Sequence, residues 1–500
     1  MAKRIIYNNR QRTNQKAGKT GFSKVELFLR FRLALIFTVL ILIYVTHASG
    51  QAPLPLTNPD RLRYPPLHFK LPQAQRVTLD NGIILHIFPD HELPILNISA
   101  IIRTGSMYDP EGKEGLAELT GTVMRTGGIN IMTGSAVDEE LDLIAGSVEV
   151  SMGMESGSVT LSVLRGDVDA GLKIFSGILM NPTFEENRFL LAKNLKTEEL
   201  RRISDDPQKL TFREFSRLFY QGNPRGRLAS LSSLKNIVRD DLIQFHKRFF
   251  YPANVMMAVS GDISKEEAIA KVNQYFGAWH ISGKYDEIPP PGGNHGEGIF
   301  YLAKDIPQSI IINGYLAPGE GTPDFYPFTI LDFILGSGGF RSRIFGEIRN
   351  NLGLAYSAGS FYRGKSNHGV FGAYAMTKAA STAKVLSLIR SIILDVKKSG
   401  VSGNELALAK KSIGNSFIFS FLSADQIAYQ QLMTEYNKLH EDYLVTYRNK
   451  IEKVNADDIK RVALKYLSQE GTVTLVVGNE KDFDQPLSLF GKVNKTEGGL

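Results

Sequence analysis

The spacing of apolar residues changes several times along the chain, and each change predicts a change of secondary structure. Residues 77–88 and 93–103 are predicted strands, whereas residues 115–126 carry apolar positions at the spacing of one helical face. Further predicted elements are a hairpin of strands 148–154 and 158–164 and helices at 137–145, 168–180 and 185–203. Strands segregated from helices in this way predict an α+β fold, with a mostly antiparallel sheet covered by helices.

Two segments of the chain repeat each other at an offset of 217 residues. Residues 240–262 align without a gap on residues 457–479. In both, a helix-spaced segment leads through a turn to an apolar strand that ends at glycine, Gly261 in one and Gly478 in the other. GIILHI at the start of the first copy and GIFYLA at the start of the second lie at nearly the same offset. This long period predicts two homologous domains rather than a solenoid of short repeats.

Two stretches rich in proline predict the domain boundaries. Residues 51–73 hold six prolines and are predicted to be an extended lead-in. Residues 281–298 hold three consecutive prolines and five glycines, as an interdomain linker does. The sequence therefore predicts a first domain at 74–280 and a second domain at 299–490.

The first 50 residues have the composition of a targeting segment. They carry nine Lys or Arg and one Glu, a net charge of +8, which leaves −1 for the rest of a chain whose total is +7. A nearly neutral remainder argues against a nucleic-acid partner. The 13-residue apolar run at 33–45 fits a signal peptide cleaved before residue 51, and an uncleaved N-terminal membrane anchor stays open. Both interpretations place the bulk of the protein outside the cytoplasm, and we expect the periplasm.

Several short motifs follow one another in a fixed order. GSMYDPEGKEGLAELTGT at 105–122 precedes NPTF at 181–184 and YPAN at 251–254, and LGSGGFRSRIFGEIRNNLGLAY lies at 335–356. Together they resemble peptidase family M16, the insulinase/pitrilysin-like and mitochondrial-processing-peptidase-like family, and in particular its bacterial two-domain branch. The resemblance implies the LuxS/M16 metallohydrolase-like fold, with two homologous domains.

The resemblance breaks down at the zinc-binding helix. Active members carry H-x-x-E-H there, in which two His hold zinc and the Glu activates water. Glu118, Gly121 and Thr122 stand at the positions of the first His, the Glu and the second His. Glu199 matches the third ligand but lacks its partners, and a chain without cysteine has no thiolate ligand to offer. We therefore expect no catalytic residue, no zinc and no activity of the chain alone; weak binding of a hard ion by the two carboxylates stays open.

A second group of family residues is present. Arg349 and Tyr356 match the residues that bind backbone carbonyls of the substrate in the family. Gly338 and Gly339 match its glycine-rich loop, and residues 148–154 match the edge strand that pairs with an extended peptide. The resemblance therefore implies substrate binding by these residues. The alternatives are an acid partner for Arg349, packing of Tyr356, an ordinary turn at the glycines and an interior position for the strand.

Loss of the metal site beside retention of peptide-binding residues indicates a division of labour between chains. The resemblance implies a noncatalytic, exported subunit that binds peptides and completes the chamber of a zinc-bearing homologue with H-x-x-E-H. The alternative is a structural, assembly or interaction protein with this fold and no proteolytic role, including a homodimer of this chain.

Overall fold

The structure is a computed structural model that describes residues 70–292, 296–468 and 470–498. The predicted leader and nearly all of the predicted lead-in lie outside these residues. Within the described ranges, no helix has both the length and the apolarity that a membrane span requires.

The first half is built on a six-stranded sheet formed by β1 (Gln75–Thr78), β2 (Ile84–Pro89), β3 (Ile95–Ile102), β4 (Ser147–Met152), β5 (Gly157–Leu164) and β6 (Val255–Gly261). The strands lie in the order β1-β2-β6-β3-β5-β4. β2 and β6 pair in parallel, and the other neighbouring pairs are antiparallel. β4 therefore forms one edge of the sheet.

The second half repeats this architecture with β7 (Gly298–Ala303), β8 (Gln308–Ala317), β9 (Ala355–Gly364), β10 (Gly369–Lys378), β11 (Val473–Gly478) and β12 (Val493–Thr496). Their order is β12-β7-β11-β8-β10-β9, with antiparallel pairing from β11 to β9 and parallel pairing at β7. The predicted α+β fold, with two homologous domains of mostly antiparallel sheet covered by helices, is confirmed.

Helices connect the strands in both halves. Those of the first half are α1 (Leu116–Thr126), α2 (Gly134–Leu143), α3 (Val168–Met180), α4 (Glu186–Arg202), α5 (Pro207–Phe219), α6 (Leu231–Asn236), α7 (Arg239–Phe249) and α8 (Lys265–Phe276). Those of the second half are α9 (Phe325–Asp332), α10 (Arg343–Phe345), α11 (Thr382–Ser399), α12 (Gly403–Ser416), α13 (Ala424–Tyr436), α14 (Tyr443–Lys453) and α15 (Ala456–Tyr466). The π-helical turns Phe333–Ser337 and Gly346–Asn351 continue α9 and α10.

Two local predictions differ from the structure. The segment predicted as one strand at 77–88 forms both β1 and β2, because the backbone turns where the Leu79 amide donates to the Ile83 carbonyl and Gly82 has φ +95°. Helix α2 begins three residues before its predicted start, because the Thr133 hydroxyl accepts a hydrogen bond from the Ala136 amide and caps it. The predicted hairpin is confirmed as β4 and β5.

One helix of each half covers the sheet of the other half. The bounds of α13 are those of α5 shifted by the 217-residue offset of the duplication. Leu432 of α13 packs with Met256 of the first sheet, and Phe215 of α5 packs with Ile312 and Leu475 of the second. The opposite face of each sheet packs against helices of its own half. Separating the halves would therefore expose an apolar face on both sheets.

Candidate functional site

Helix α1 is held at its amino end by a buried carboxylate. Asp109 accepts hydrogen bonds from the amides of Gly115 at 2.7 Å and Ala117 at 2.8 Å, which satisfies donors that a helix start leaves unpaired. Burial raises the pKa of Asp109 to about 7, although these two hydrogen bonds act to lower it. Gly115 itself has φ +102°, which favours glycine. The frame of α1 is thus complete, even though its zinc ligands are replaced.

A lysine ammonium lies between the two carboxylates at the degenerate zinc positions. Lys196 Nζ on α4 is 2.6 Å from Glu118 Oε1 and 3.0 Å from Glu199 Oε2. The Lys196 side chain is 13% exposed, against 47% for Glu118 and 63% for Glu199, so the ammonium lies beneath the two acids. The space between Glu118 and Glu199 therefore holds a cation that belongs to the chain.

The other two degenerate positions are engaged in packing and in a local hydrogen bond. Gly121 is buried, and a Cβ at this position would lie 2.7 Å from Cγ of Met152 on β4. A glutamate in place of Gly121 would have to displace the partly buried side chain of Met152. The Thr122 hydroxyl donates to the Glu118 carbonyl at 3.0 Å, one helical turn back. Neither position supplies a base or a nitrogen ligand.

These residues do not fit a catalytic zinc ion. Such a site needs three nitrogen, sulfur or carboxylate ligands and an open position for water. Helices α1 and α4 offer two carboxylates, and both already bind the ammonium of Lys196. Across the ranges that the structure describes, no group of three or more His, Asp or Glu is placed to hold a metal. The two carboxylates at this site accept hydrogen bonds from an ammonium group instead.

Strand β4 lies beside α1 at the edge of the first sheet. Val148 is buried, while Glu149 and Ser151 are exposed, so one face of the strand packs on the core. Arg125, in the last turn of α1, donates from Nε to the Val148 carbonyl at 2.5 Å and from Nη1 to Asp138 at 2.7 Å. The edge position excludes the alternative of an interior strand. It also suits main-chain pairing with an extended peptide.

Arg349 and Tyr356 lie together among aromatic rings, in a group that we call the aromatic–arginine cluster, formed by Phe340, Phe345, Arg349 and Tyr356. Arg349 Cζ is 4.9 Å from the ring centre of Tyr356, 4.8 Å from that of Phe345 and 5.8 Å from that of Phe340. Tyr356 is 82% exposed and Phe340 is 71% exposed. Arg349 forms no ion pair with any described residue. An acid partner for Arg349 and core packing of Tyr356 therefore do not describe this structure.

The glycine-rich loop before the cluster is anchored by a buried acid. A Cβ on Gly336 would overlap the Ser360 amide, and Gly339 has φ +64°, so glycine is required at the first position and favoured at the second. Gly338 lies between them and is partly exposed. Asp332 accepts a hydrogen bond from the Ser360 hydroxyl at 2.6 Å, and burial raises the pKa of Asp332 to about 6. These contacts hold the loop that carries Phe340.

The structure brings the predicted residues together in two groups. Glu118 and Glu199 meet at Lys196 in the first half, and Arg349 meets Tyr356 in the second. Among the residues described, no hydrogen bond or ion pair joins one group to the other. Each group is therefore held by contacts within its own half of the chain.

Sequence reasoning missed three of the residues that define these groups. Lys196 lies three residues before Glu199, a spacing that places both on one face of a helix, and this spacing was the available signal. Phe340 and Phe345 lie inside the motif at 335–356, but nothing in their spacing shows that their rings surround Arg349. The tertiary fold alone provides that information.

Two family models match successive parts of the chain. Residues 90–230 match the family described as Insulinase (Peptidase family M16). Residues 236–413 match the family described as Peptidase M16 inactive domain. The two matches cover the helix of the degenerate site and the aromatic–arginine cluster, respectively.

Relatives and solved structures agree with this result. A Rickettsia felis protein named "Uncharacterized zinc protease" is 24% identical over 414 residues, which are 80% of this chain and 97% of that protein. "Uncharacterized zinc protease YmxG" of Bacillus subtilis is 23% identical over 80% of this chain and 98% of its own length. The crystal structure of a peptidase M16 inactive domain from Pseudomonas fluorescens has a TM-score of 0.76 and 22% identity, covering 83% of this chain and 100% of that one. A protease from Helicobacter pylori has a TM-score of 0.74 and 20% identity, covering 82% and 100%.

Proposed function

This chain belongs to peptidase family M16, and from that premise we propose that it is an exported, noncatalytic subunit that binds peptides and completes the chamber of a zinc-bearing homologue with H-x-x-E-H. The contrast between its two groups of residues carries the proposal. Lys196 occupies the space between the remaining acids, whereas Tyr356 is exposed and Arg349 beside it is partly exposed.

Cleavage has to come from another chain in this proposal. Hydrolysis of a peptide bond by a metallopeptidase needs a metal-activated water and a base. The first half has glycine at the base position, and Met152 fills the space that a longer side chain would need. Both of its acids already accept a hydrogen bond from the ammonium of Lys196. The helix survives as scaffold, because Asp109 still holds its amino end.

Peptide binding is assigned to the aromatic–arginine cluster. Arg349 Cζ lies over the rings of Phe345 and Tyr356. The N–H groups of this guanidinium can donate to backbone carbonyls of a peptide. No acid of the described chain neutralises this guanidinium, and the neighbouring Tyr356 hydroxyl adds a further donor. Such main-chain recognition accepts many sequences, as a subunit of a peptidase chamber requires.

The test mixes the full chain with an H-x-x-E-H homologue from the same genome and measures cleavage of a fluorogenic peptide. We expect the mixture to form a heterodimer and to cleave faster than the homologue alone. Arg349→Ala should raise the KM of the mixture about tenfold, because it removes charge-assisted hydrogen bonds, and should leave the heterodimer intact. Arg363→Ala is the matched control, since Arg363 is exposed on the same strand as Tyr356 and also contacts a phenylalanine ring; we expect a change within about twofold.

If the chain forms only a homodimer and does not increase cleavage by the homologue, a structural or assembly role explains the protein better. Cleavage by the purified chain alone, with stoichiometric zinc that Glu199→Gln removes, would instead show a peptidase. Either result would overturn the proposal.

A further inference from the structure

A cavity of about 630 Å³ lies in the second half between the sheet and helix α11. Its walls come from β7, β8, β11, β12 and α11, and its apolar side chains include Ile299, Ile393 and Phe490. The volume falls within the range of small-molecule sites in proteins. None of the residues that line it belongs to the aromatic–arginine cluster or to the degenerate zinc site.

A chain of hydrogen bonds crosses the sheet side of this cavity. Arg390 on α11 donates from Nη2 to the Thr474 hydroxyl at 3.3 Å. Thr474 donates to Asn313 Oδ1 at 2.6 Å, and Asn313 Nδ2 donates to the Tyr315 hydroxyl at 2.5 Å. Thr474, Asn313 and Tyr315 are buried, so the network fixes the polar wall of the cavity in one arrangement.

Arg390 is partly buried and forms no ion pair within the described chain. Besides Thr474, it contacts the ring of Phe490, whose centre is 5.1 Å from Arg390 Cζ. A guanidinium has five N–H donors, and Thr474 accepts from one of them over a long distance. Burial lowers the pKa of Arg390, which is the cost of removing a charge from water without a counter-charge.

The remaining charges around the cavity are mostly positive as well. Lys397 and Lys492 line it, and the acid among the described lining residues is the exposed Glu297. Lys397 donates to the Leu467 carbonyl at 2.9 Å, so its ammonium is not neutralised by that contact. The cavity therefore combines an excess of positive charge with apolar walls.

The first half shows that the fold does not require these polar groups. Thr474 pairs with Asn313 across β11 and β8, and the duplicated positions, Met257 and Ala100, pair in the same way across β6 and β3. Both Met257 and Ala100 are fully buried and apolar. The neighbouring positions are likewise polar in the second half and apolar in the first, with Thr472 and Tyr315 replacing Val255 and Ile102. Because the first half folds with apolar residues at these positions, the fold does not account for the polar residues of the second half.

We infer that this cavity binds a small organic carboxylate with an apolar body. The planar fork of Arg390 matches the two oxygens of a carboxylate, and the hydrocarbon would contact Ile299, Ile393 and Phe490. Binding supplies the missing counter-charge and covers apolar surface at the same time. The inference does not rest on the proposed function, because it uses neither the partner chain nor the aromatic–arginine cluster.

Calorimetric titration of the full chain with octanoate tests the inference. We expect saturable binding to the wild-type chain, and binding at least about tenfold weaker to Arg390→Met, which removes the charge and keeps an unbranched apolar side chain. Leu394→Asp places a negative charge at an exposed position of the same wall and should weaken binding about threefold. Lys384→Met is the matched control, since Lys384 is exposed on α11 outside the cavity, and it should bind octanoate as the wild-type chain does.

Ligand chemistry provides a second arm that needs no variant. Octyltrimethylammonium has a similar apolar body and the opposite charge, and it should not compete with octanoate. Inorganic phosphate has charge and no apolar body, and it should compete weakly. Absence of saturable binding up to about 10 mM octanoate, equal binding by Arg390→Met, or equal competition by either control ligand would overturn the inference. If Arg390→Met does not fold, Leu394→Asp and the competition experiments still decide.

Discussion

Five strands of the two sheets correspond in order and direction, and the faces that lie beneath their own helices differ in chemistry. The first half closes this face with apolar residues such as Met257 and Ala100, whereas the second places Thr474 and Asn313 at the duplicated positions. Both faces are buried, so either composition supports the fold. Comparison of duplicates within one chain therefore separates residues that the fold needs from residues that have another role, and Arg390 with its polar wall belongs to the second kind.

The acids at the start of the first helix of each half differ too. Asp109, before α1, is buried and has no ion pair among the described residues, and burial raises its pKa to about 7. Burial also raises the pKa of Asp324, before α9, but hydrogen bonds from Lys465, Arg461 and Tyr466 outweigh it and lower the pKa to about 2. The acids that precede the first helix of the two halves thus respond to pH in opposite directions.

The largest effect on stability is expected where α5 and α13 each cover the sheet of the other half. This contact decides whether the two halves unfold together or independently. Phe215→Ala, which acts on the second sheet, and Leu432→Ala, which acts on the first, should each lower the free energy of unfolding by about 3–4 kcal/mol. In urea, circular dichroism of the whole chain and fluorescence of Trp279, the single tryptophan, should still report one shared transition for each variant. Phe419→Ala, at a position that is 60% exposed, is the control and should change stability by less than about 0.5 kcal/mol. Two separate transitions would show that the halves fold independently.

A smaller effect is expected from the pH dependence of the two acids. The folded pKa of Asp109 lies above the ordinary value near 4, so stability falls as pH rises from about 4 to 7, by on the order of 3 kcal/mol. Asp109→Asn should remove this fall in urea titrations at a series of pH values. For Asp324 the folded pKa is lowered, so its contribution is present above pH 4 and is lost as pH falls towards 2. Asp324→Asn should therefore change the free energy of unfolding only below about pH 4. If this variant lost the fall in stability between pH 4 and 7, the assignment of that fall to Asp109 would be contradicted.

The smallest predicted effect concerns Gly121, which stands at the position of the family's catalytic Glu and contacts Met152 closely. Gly121→Ala should lower stability by about 1 kcal/mol, because the new methyl meets Met152, although alanine normally stabilises a helix interior by about 1 kcal/mol relative to glycine. In a Met152→Ala background, where the new methyl has room, Gly121→Ala should instead raise stability by about 1 kcal/mol. Gly414→Ala on α12 of the second half is the matched control; a Cβ there has one neighbour, at 3.9 Å, so we expect a stabilisation of about 1 kcal/mol by thermal unfolding. A stabilising Gly121→Ala would show that the base position is open.

Sequence reasoning predicted the fold well and the candidate site in part. The duplication follows from the repeat at an offset of 217 residues, and the α+β class and the hairpin of β4 and β5 follow from local periodicity; all three are confirmed. Replacement of the zinc ligands at Glu118, Gly121 and Thr122 is likewise visible in the sequence. The reciprocal covering of the sheets was not predicted. The apolar face of α5 identifies a buried helix without identifying the sheet that it covers, and the sequence of α13 has only a weak amphipathic pattern.

The sequence by itself determined which chemical groups this protein has lost and which it has kept. Residue types in α1 exclude the H-x-x-E-H pattern, and Arg349 and Tyr356 are present whatever the packing. Only the tertiary structure decided what these groups contact. Glu118 meets Lys196 across 78 residues and Arg390 meets Thr474 across 84, and such contacts depend on how distant helices and strands pack together. Periodicity reports which face of an element is buried, whereas the partner on that face is selected by the fold of the whole chain.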